Sequence, residues 1–263
     1  MDNYLKINKE TWNKKVEVHL KSDFYFVDEF IKGKNSLNPI ELSILGNIQG
    51  KNILHLQCHF GQDSISLSRL GGKVIGVDLS DKAIEAAWDL ARKTNNNTEF
   101  ICSDIYELPE KLHQKFDIVY TSYGTIGWLP DLDRWAKVIS HFLKPKGQFI
   151  LIEFHPTIWM FDDDFTEIKY HYFNEKPIIE NFTGTYADRN STIETQTISW
   201  NHSLSEVLSS LLNNGLRLES FEELDYSPYR CFKHMVEVEP NKFRIKHLDN
   251  KVPMVYALSA IKQ

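Results

Sequence analysis

Residues Asn52–Ser80 read N-I-L-H-L-Q-C-H-F-G-Q-D-S-I-S-L-S-R-L-G-G-K-V-I-G-V-D-L-S. The apolar run Ile53–Leu56 leads into a turn carrying Gly61. A helix-like segment follows and ends at Gly71-Gly72, and a second apolar run, Lys73–Val77, stops on Asp78. This is a strand–turn–helix–strand unit with an acid at the tip of its second strand. In such units a ligand sits beyond the carboxyl ends of the strands. The turn and helix N-terminus receive its anionic or dipolar part, and the acid receives ribose hydroxyls. The spacing from Gly61 to Asp78 is close to the roughly 20 residues that separate a nucleotide-binding turn from its ribose acid.

Working outward, Ser80 suits a helix N-cap, and Ala83, Ile84, Ala87, Leu90 and Ala91 recur at helical spacing. Thr98–Cys102 is predicted as a third strand followed by Asp104, and Phe116–Thr121 as a fourth running into Ser122-Tyr123. Asp131 opens a helix whose Leu132, Trp135, Ile139 and Phe142 share one face; Lys144-Pro145-Lys146-Gly147 stops it. Gln148–Phe154 is almost wholly apolar, as a strand covered on both faces should be. Such alternation predicts an α/β fold with a doubly wound, mostly parallel sheet.

The period then breaks. Residues 156–202 are rich in aromatics, and Glu167–Phe173 and Thr192–Trp200 alternate like the strands of an inserted β-ribbon. Helix Ser203–Asn213, strand Arg217–Leu224 and strand Met254–Lys262 resume the core, with Asp225–Pro253 read as irregular. Tyr4–Val18 and Pro39–Leu45 are predicted helices of an N-terminal extension, which either folds over the ligand or pads the sheet.

Bulk properties narrow the partners. A net charge of −6 without a long basic run argues against nucleic acid. No apolar run has membrane-spanning length, and Met1–Lys15 is too charged for a signal peptide, which predicts a cytoplasmic protein. Cys58, Cys102 and Cys231 show no C-x-x-C spacing and read as reduced residues. Asp162-Asp163-Asp164 has no His/Cys cluster beside it, so no metal is expected.

The motif order resembles that of the class I S-adenosylmethionine-dependent methyltransferases over most of the chain. Leu54–Gly61 matches their first, glycine-rich motif, Asp78 the acid after the second strand and Ser103-Asp104-Ile105 the acid after the third. Phe116–Tyr120 matches the fourth-strand motif, and Lys144–Gly147 the turn before strand five. The string L-H-L-Q-C-H-F-G-x-D is similar to that of a bacterial subgroup. The chain departs from the pattern where Gln57 and His59 replace two glycines and His55 replaces the usual acid. Their side chains must point away from the ligand or touch its methionine portion.

The resemblance implies a seven-stranded sheet with an antiparallel C-terminal strand and a β-ribbon inserted after strand five. One domain would comprise a helical cap (1–50), a cofactor-binding core (51–155), an aromatic lid (156–202) and a C-terminal helix with antiparallel strands (203–263). S-adenosylmethionine is the expected cofactor and a small molecule the methyl acceptor. Cofactor contacts are expected from Gln57, His59, Gly61, Asp63, Asp78, Leu79, Asp104, Ile105, Thr121, Ser122 and Tyr123. Gly61 also reads as a simple turn glycine and Asp63 as a helix cap. Candidate bases are His155, expected to face the cleft from the end of strand five, then His59 and Glu153. Methyl transfer from a sulfonium does not require one. Trp159, Tyr186 and Tyr229 are expected to line an acceptor pocket, unless the aromatics instead form a satellite core or a homodimer surface. Two other activities fit the opening unit: nicotinamide-dependent oxidoreduction, which lacks its G-x-G-x-x-G here, and nucleoside binding without catalysis.

Overall fold

The computed structural model describes residues 3–263; Met1 and Asp2, which open the expected cap, lie outside the described residues. Three helices come first: α1 (Tyr4–Lys21), α2 (Val27–Ile31) and α3 (Pro39–Leu45). The core then alternates β1 (Asn52–Leu56), α4 (Gln62–Arg69), β2 (Lys73–Asp78), α5 (Asp81–Lys93), β3 (Glu99–Cys102), α6 (Leu108–Lys111), β4 (Phe116–Ser122), α7 (Leu132–Phe142) and β5 (Leu143–Phe154). An excursion holds β6 (Ile178–Thr183) and β7 (Glu194–Ser199). Helix α8 (Leu204–Asn213) and β8 (Leu216–Leu224) follow, then β9 (Met235–Glu239), β10 (Lys242–Ile245) and β11 (Val255–Lys262).

Seven strands form one sheet in the order β3-β2-β1-β4-β5-β11-β8, parallel except for β11, which runs antiparallel to both neighbours. Strand order reverses between β1 and β4, so the carboxyl ends of β1, β2 and β4 surround the crevice where such sheets take ligands. The expected caps form: Ser80 Oγ accepts from the Ala83 amide at 3.0 Å, and Asp131 Oδ1 from the Arg134 amide at 3.0 Å. Leu54, Leu56, Val119, Phe149 and Leu151 are fully buried on one side of the sheet against Trp135, Ile139 and Phe142 of α7. That packing explains why β5 has no polar alternation.

Two expectations are corrected. The ribbon pairs Ile178–Thr183, not Glu167–Phe173, with Glu194–Ser199. Residues 167–173 instead turn back on the preceding segment, where the amides of Lys169 and Tyr170 both reach the Met160 carbonyl. Asp225–Pro253 is not wholly irregular: β9 and β10 form a hairpin closed through Asn241 at φ 59°.

Helix α1 docks on the ribbon by polar contacts. Asn8 Nδ2 donates to the Ile198 carbonyl (2.7 Å), and the Ile198 amide donates to Asn8 Oδ1 (3.0 Å). Thr11 Oγ1 donates to the Gln196 carbonyl, and Lys14 Nζ to that of Glu194. On the helix's other side Asn13 contacts Asp81 and Ser80 at the start of α5. The extension therefore bridges the crevice between core and ribbon. Among the described residues no helix is long and apolar enough to cross a membrane.

Candidate active site

A cavity of about 1070 Å³ opens at the carboxyl ends of β1, β2 and β4, walled by the turn after β1, by α1 and by the ribbon. Gln57 and His59, standing where the first motif has glycines, have φ of 55° and 51°. Both occupy the left-handed region that glycine would adopt, so the loop keeps its path at a cost of about 1 kcal/mol or more per residue. Their side chains are tied down. Gln57 Nε2 donates to the Thr125 carbonyl at 2.8 Å, and His59 Nε2 lies 2.9 Å from His19 Nδ1 on α1. Gln57 Oε1 and His59 Nδ1 are buried without a hydrogen-bond partner.

Gly61 has φ +81°, and a Cβ there would come within 2.6 Å of the Phe100 ring. Close packing of α4 on β3 therefore requires this glycine, and the residue lines the cavity as well. Asp78 ends β2 half-buried, accepting from the His59 amide at 2.8 Å (Oδ2) and the Ser80 amide at 2.9 Å (Oδ1). Each oxygen retains a lone pair, and burial pushes the carboxyl up to about 6. Leu79, Asp104, Ile105, Ser122, Tyr123 and Asp63 also line the cavity. Asp104 Oδ1 accepts the Tyr106 amide, and burial raises both Asp104 and Asp63 above the usual carboxylate range. Thr121 does not line the cavity; its hydroxyl donates to the Leu56 carbonyl at 3.2 Å, clamping β4 to β1.

Two candidate bases face elsewhere. His155, expected in the cleft, is buried with Nε2 2.9 Å from Glu223 Oε1, while Nδ1 accepts the Thr157 amide at 3.1 Å. Both ring nitrogens are engaged away from the cavity wall. Glu153 is buried and accepts from the amides of Gly124, Thr125, Ile126 and Phe154 and from the Thr125 hydroxyl. It shapes the loop whose Thr125 carbonyl receives Gln57. Of the three, only His59 lines the cavity, and burial pulls its imidazole down to about 3.

Trp159, Tyr186 and Tyr229 all line the cavity. Tyr186 and Tyr25 join hydroxyls at 2.5 Å, and Tyr229 packs edge-on against Tyr123 with ring centroids 5.0 Å apart. Sequence reasoning missed the wall supplied by the extension, namely Trp12, Lys15, Phe24 and Tyr25, and also Trp128 after β4. The buried face of α1 carries Asn8, Thr11, Lys15 and His19 beside a single aliphatic Val16. Hydrophobic periodicity cannot find such a face.

A family model described as a methyltransferase domain matches residues 53–147. A ubiquinone biosynthesis O-methyltransferase of Coxiella burnetii (strain Dugway 5J108-111) is 31% identical over 121 residues, 45% of this chain and 51% of that protein. The chain thus spans about half the length of that curated relative. An S-adenosylmethionine-dependent methyltransferase structure from Clostridium acetobutylicum superposes with a TM-score of 0.60 at 16% identity, covering 95% of this chain and 98% of that one. Another from Mesorhizobium loti gives 0.58 at 20%, covering 88% and 100%. At these identities the structural matches speak for the fold. The family match assigns a methyltransferase domain to residues 53–147, and the strand order agrees in fold with those solved S-adenosylmethionine-dependent methyltransferases.

Proposed function

We propose that this chain binds S-adenosylmethionine and transfers its methyl group to a small-molecule acceptor held in the same cavity. The observation that carries this reading is Asp78. Its carboxylate lines the cavity at the end of β2 with one lone pair per oxygen still free for vicinal ribose hydroxyls. The residues present fit such a ligand: Leu79, Asp104 and Ile105 continue the wall on the side of β3, and the turn 57–61 flanks the other end.

The donor supplies an electrophilic sulfonium methyl; the chain's own work is to align and desolvate. At 1070 Å³ the cavity lies at the upper end of small-molecule pockets, which supports room for two ligands together. Tyr123, Tyr186, Tyr229, Phe154 and Trp159 give it an aromatic wall suited to a small, partly apolar acceptor. His59 is neutral at physiological pH and too weak a base to take a proton efficiently. Rate enhancement is therefore assigned to positioning and exclusion of water, with no side chain required as a base.

Thermal melts with S-adenosylhomocysteine, S-adenosylmethionine and NAD test the donor assignment. The two adenosyl ligands are expected to raise the midpoint by several degrees while NAD leaves it in place, because only a bound species stabilises. A shift with NAD alone would overturn the assignment. Labelled methyl entering a panel of small phenols, amines and thiols tests turnover.

A further inference from the structure

Asp63, the second residue of α4, is half-buried and lines the cavity. Burial raises its carboxyl, while the hydroxyls of Ser36 and Ser122 beside it pull the other way. A second acid, Glu41 on α3, is fully buried behind the wall; burial first and Asp63 second push its carboxyl up to about 7. Asn38 donates to both Glu41 oxygens, through its amide at 3.1 Å and Nδ2 at 3.3 Å. Among the described residues neither acid forms an ion pair. The cationic side chains that line the cavity are engaged elsewhere. Lys15, which burial pulls down to about 8, lies against the rings of Trp12 and Trp128, and Lys34 lies over Phe26. Arg189 donates to the Cys231 carbonyl, and Lys233 to Asp164. Two buried acids without a cation are costly unless one arrives.

A separate observation points the same way. Tyr120 on β4 has no exposed surface, yet its hydroxyl is buried without a hydrogen bond, as is that of Tyr123. Burial, and then groups that include both acids, raise these two phenols well above their usual range, so the orphaned hydroxyls stand beside the carboxylates. Buried polar groups are as a rule bonded. Around them the aromatic rings close a box: Phe24 packs on Tyr25, Tyr186 and Tyr229 with centroids 5.1, 5.4 and 5.8 Å away. All four line the cavity, and the Asp63 charge reaches Tyr25 and Tyr229. Aromatic faces around a carboxylate suit a cation. Tyr229 continues through Tyr123 and Phe154 to Trp159, the wall assigned above to the acceptor. Tyr120 and Tyr123 belong to the β4 side of β1, whereas Asp78 ends β2 on its other side.

We propose that the methyl acceptor is a small molecule carrying a basic nitrogen, bound as its ammonium by Asp63 within the box of Phe24, Tyr25, Tyr186 and Tyr229. Glu41 adds negative potential from behind the wall. This deepens, and rests on, the reading that donor and acceptor share the cavity.

The test is titration calorimetry at neutral pH on the full chain loaded with S-adenosylhomocysteine. The probes are benzylamine and 2-phenylethylamine, with benzyl alcohol and 2-phenylethanol as their uncharged counterparts. At least one amine is expected to bind at least about tenfold tighter than its alcohol, as a charge-assisted hydrogen bond provides. Asp63→Asn, which keeps the shape of the side chain, is expected to erase that preference and to leave S-adenosylhomocysteine affinity unchanged. Amines that bind wild type no tighter than the alcohols overturn the proposal, a comparison that needs no variant to fold. A preference that survives Asp63→Asn overturns it as well. So does weaker S-adenosylhomocysteine binding in the variant, which would hand Asp63 to the donor. Failure of S-adenosylhomocysteine to bind wild type would instead defeat the donor reading itself.

Discussion

The main-chain amide of His59 donates to Oδ2 of Asp78 at 2.8 Å, tying the turn after β1 to the acid that ends β2. The same carboxylate holds the Ser80 amide, so one side chain both faces the cavity and braces the loops on either side of it. Asp78→Ala is therefore expected to weaken S-adenosylhomocysteine at least tenfold and to lower stability, since two amides lose acceptors at about 1–3 kcal/mol each. Asp78→Asn keeps one acceptor oxygen and should lose less stability. Calorimetry and denaturant unfolding on the two variants check this; Asp78→Ala with unchanged affinity would remove Asp78 from the site.

Two turn positions should respond to glycine in opposite ways. Gln57→Gly relieves a left-handed backbone at the expense of one hydrogen bond, and should stay within about 1 kcal/mol of wild type. Gly61→Ala faces both φ +81° and the Phe100 ring, and should cost at least about 2 kcal/mol. Urea unfolding measures both.

Lys15 predicts a pH dependence of known sign. Its folded pKa of about 8 lies below the usual 10.5, so between these values the unfolded chain holds more protons than the folded one. Its contribution to stability therefore rises with pH across that window and is at its most unfavourable below pH 8. At 1.36 kcal/mol per unit the gap amounts to roughly 3 kcal/mol. Lys15→Met should exceed wild type by up to that amount near pH 7, with the advantage shrinking as pH rises from about 8 to 10.5. Paired denaturation curves at pH 7 and pH 10 are the measurement. A constant difference would show that the charge is not the cause.

His155 is expected to act as a strut. His155→Ala leaves the Glu223 carboxylate and the Thr157 amide without their partner, and should lower the melting midpoint. Affinity for S-adenosylhomocysteine should not change, because the ring does not line the cavity. A stable variant with impaired cofactor binding would reverse this assignment.

The strand–turn–helix–strand unit was legible because each of its signals is local: apolar runs, a turn glycine, and an acid where Val77 gives way to Asp78. Trp159 and Tyr186, from the insertion after strand five, and Tyr229, from the excursion after β8, do line the cavity, as their aromatic setting led us to expect. The ribbon register was not legible. Glu167–Phe173 alternates as a strand should, but its amides are drawn to the Met160 carbonyl, a contact that no period reports. The β9–β10 hairpin carried its signal in the alternation V-E-V-E ahead of Pro240-Asn241, and that signal was passed over. His155 and Lys15 illustrate the deeper limit. Position along the chain put His155 at the mouth of the crevice, yet Glu223 on β8 turns it away. Nothing local marks Lys15, since its burial depends on Trp128 more than a hundred residues downstream.

The docking of α1 on β7 has a mechanical consequence. Asn8 serves the Ile198 amide and carbonyl as a neighbouring strand would, so the helix closes a flank of the hairpin that would otherwise be open to edge-to-edge pairing. Peeling the helix off by itself would strand those groups and expose a sticky border. Helix and hairpin are thereby joined as one unit, which meets the sheet's first crossover where Asn13 contacts Ser80 and Asp81.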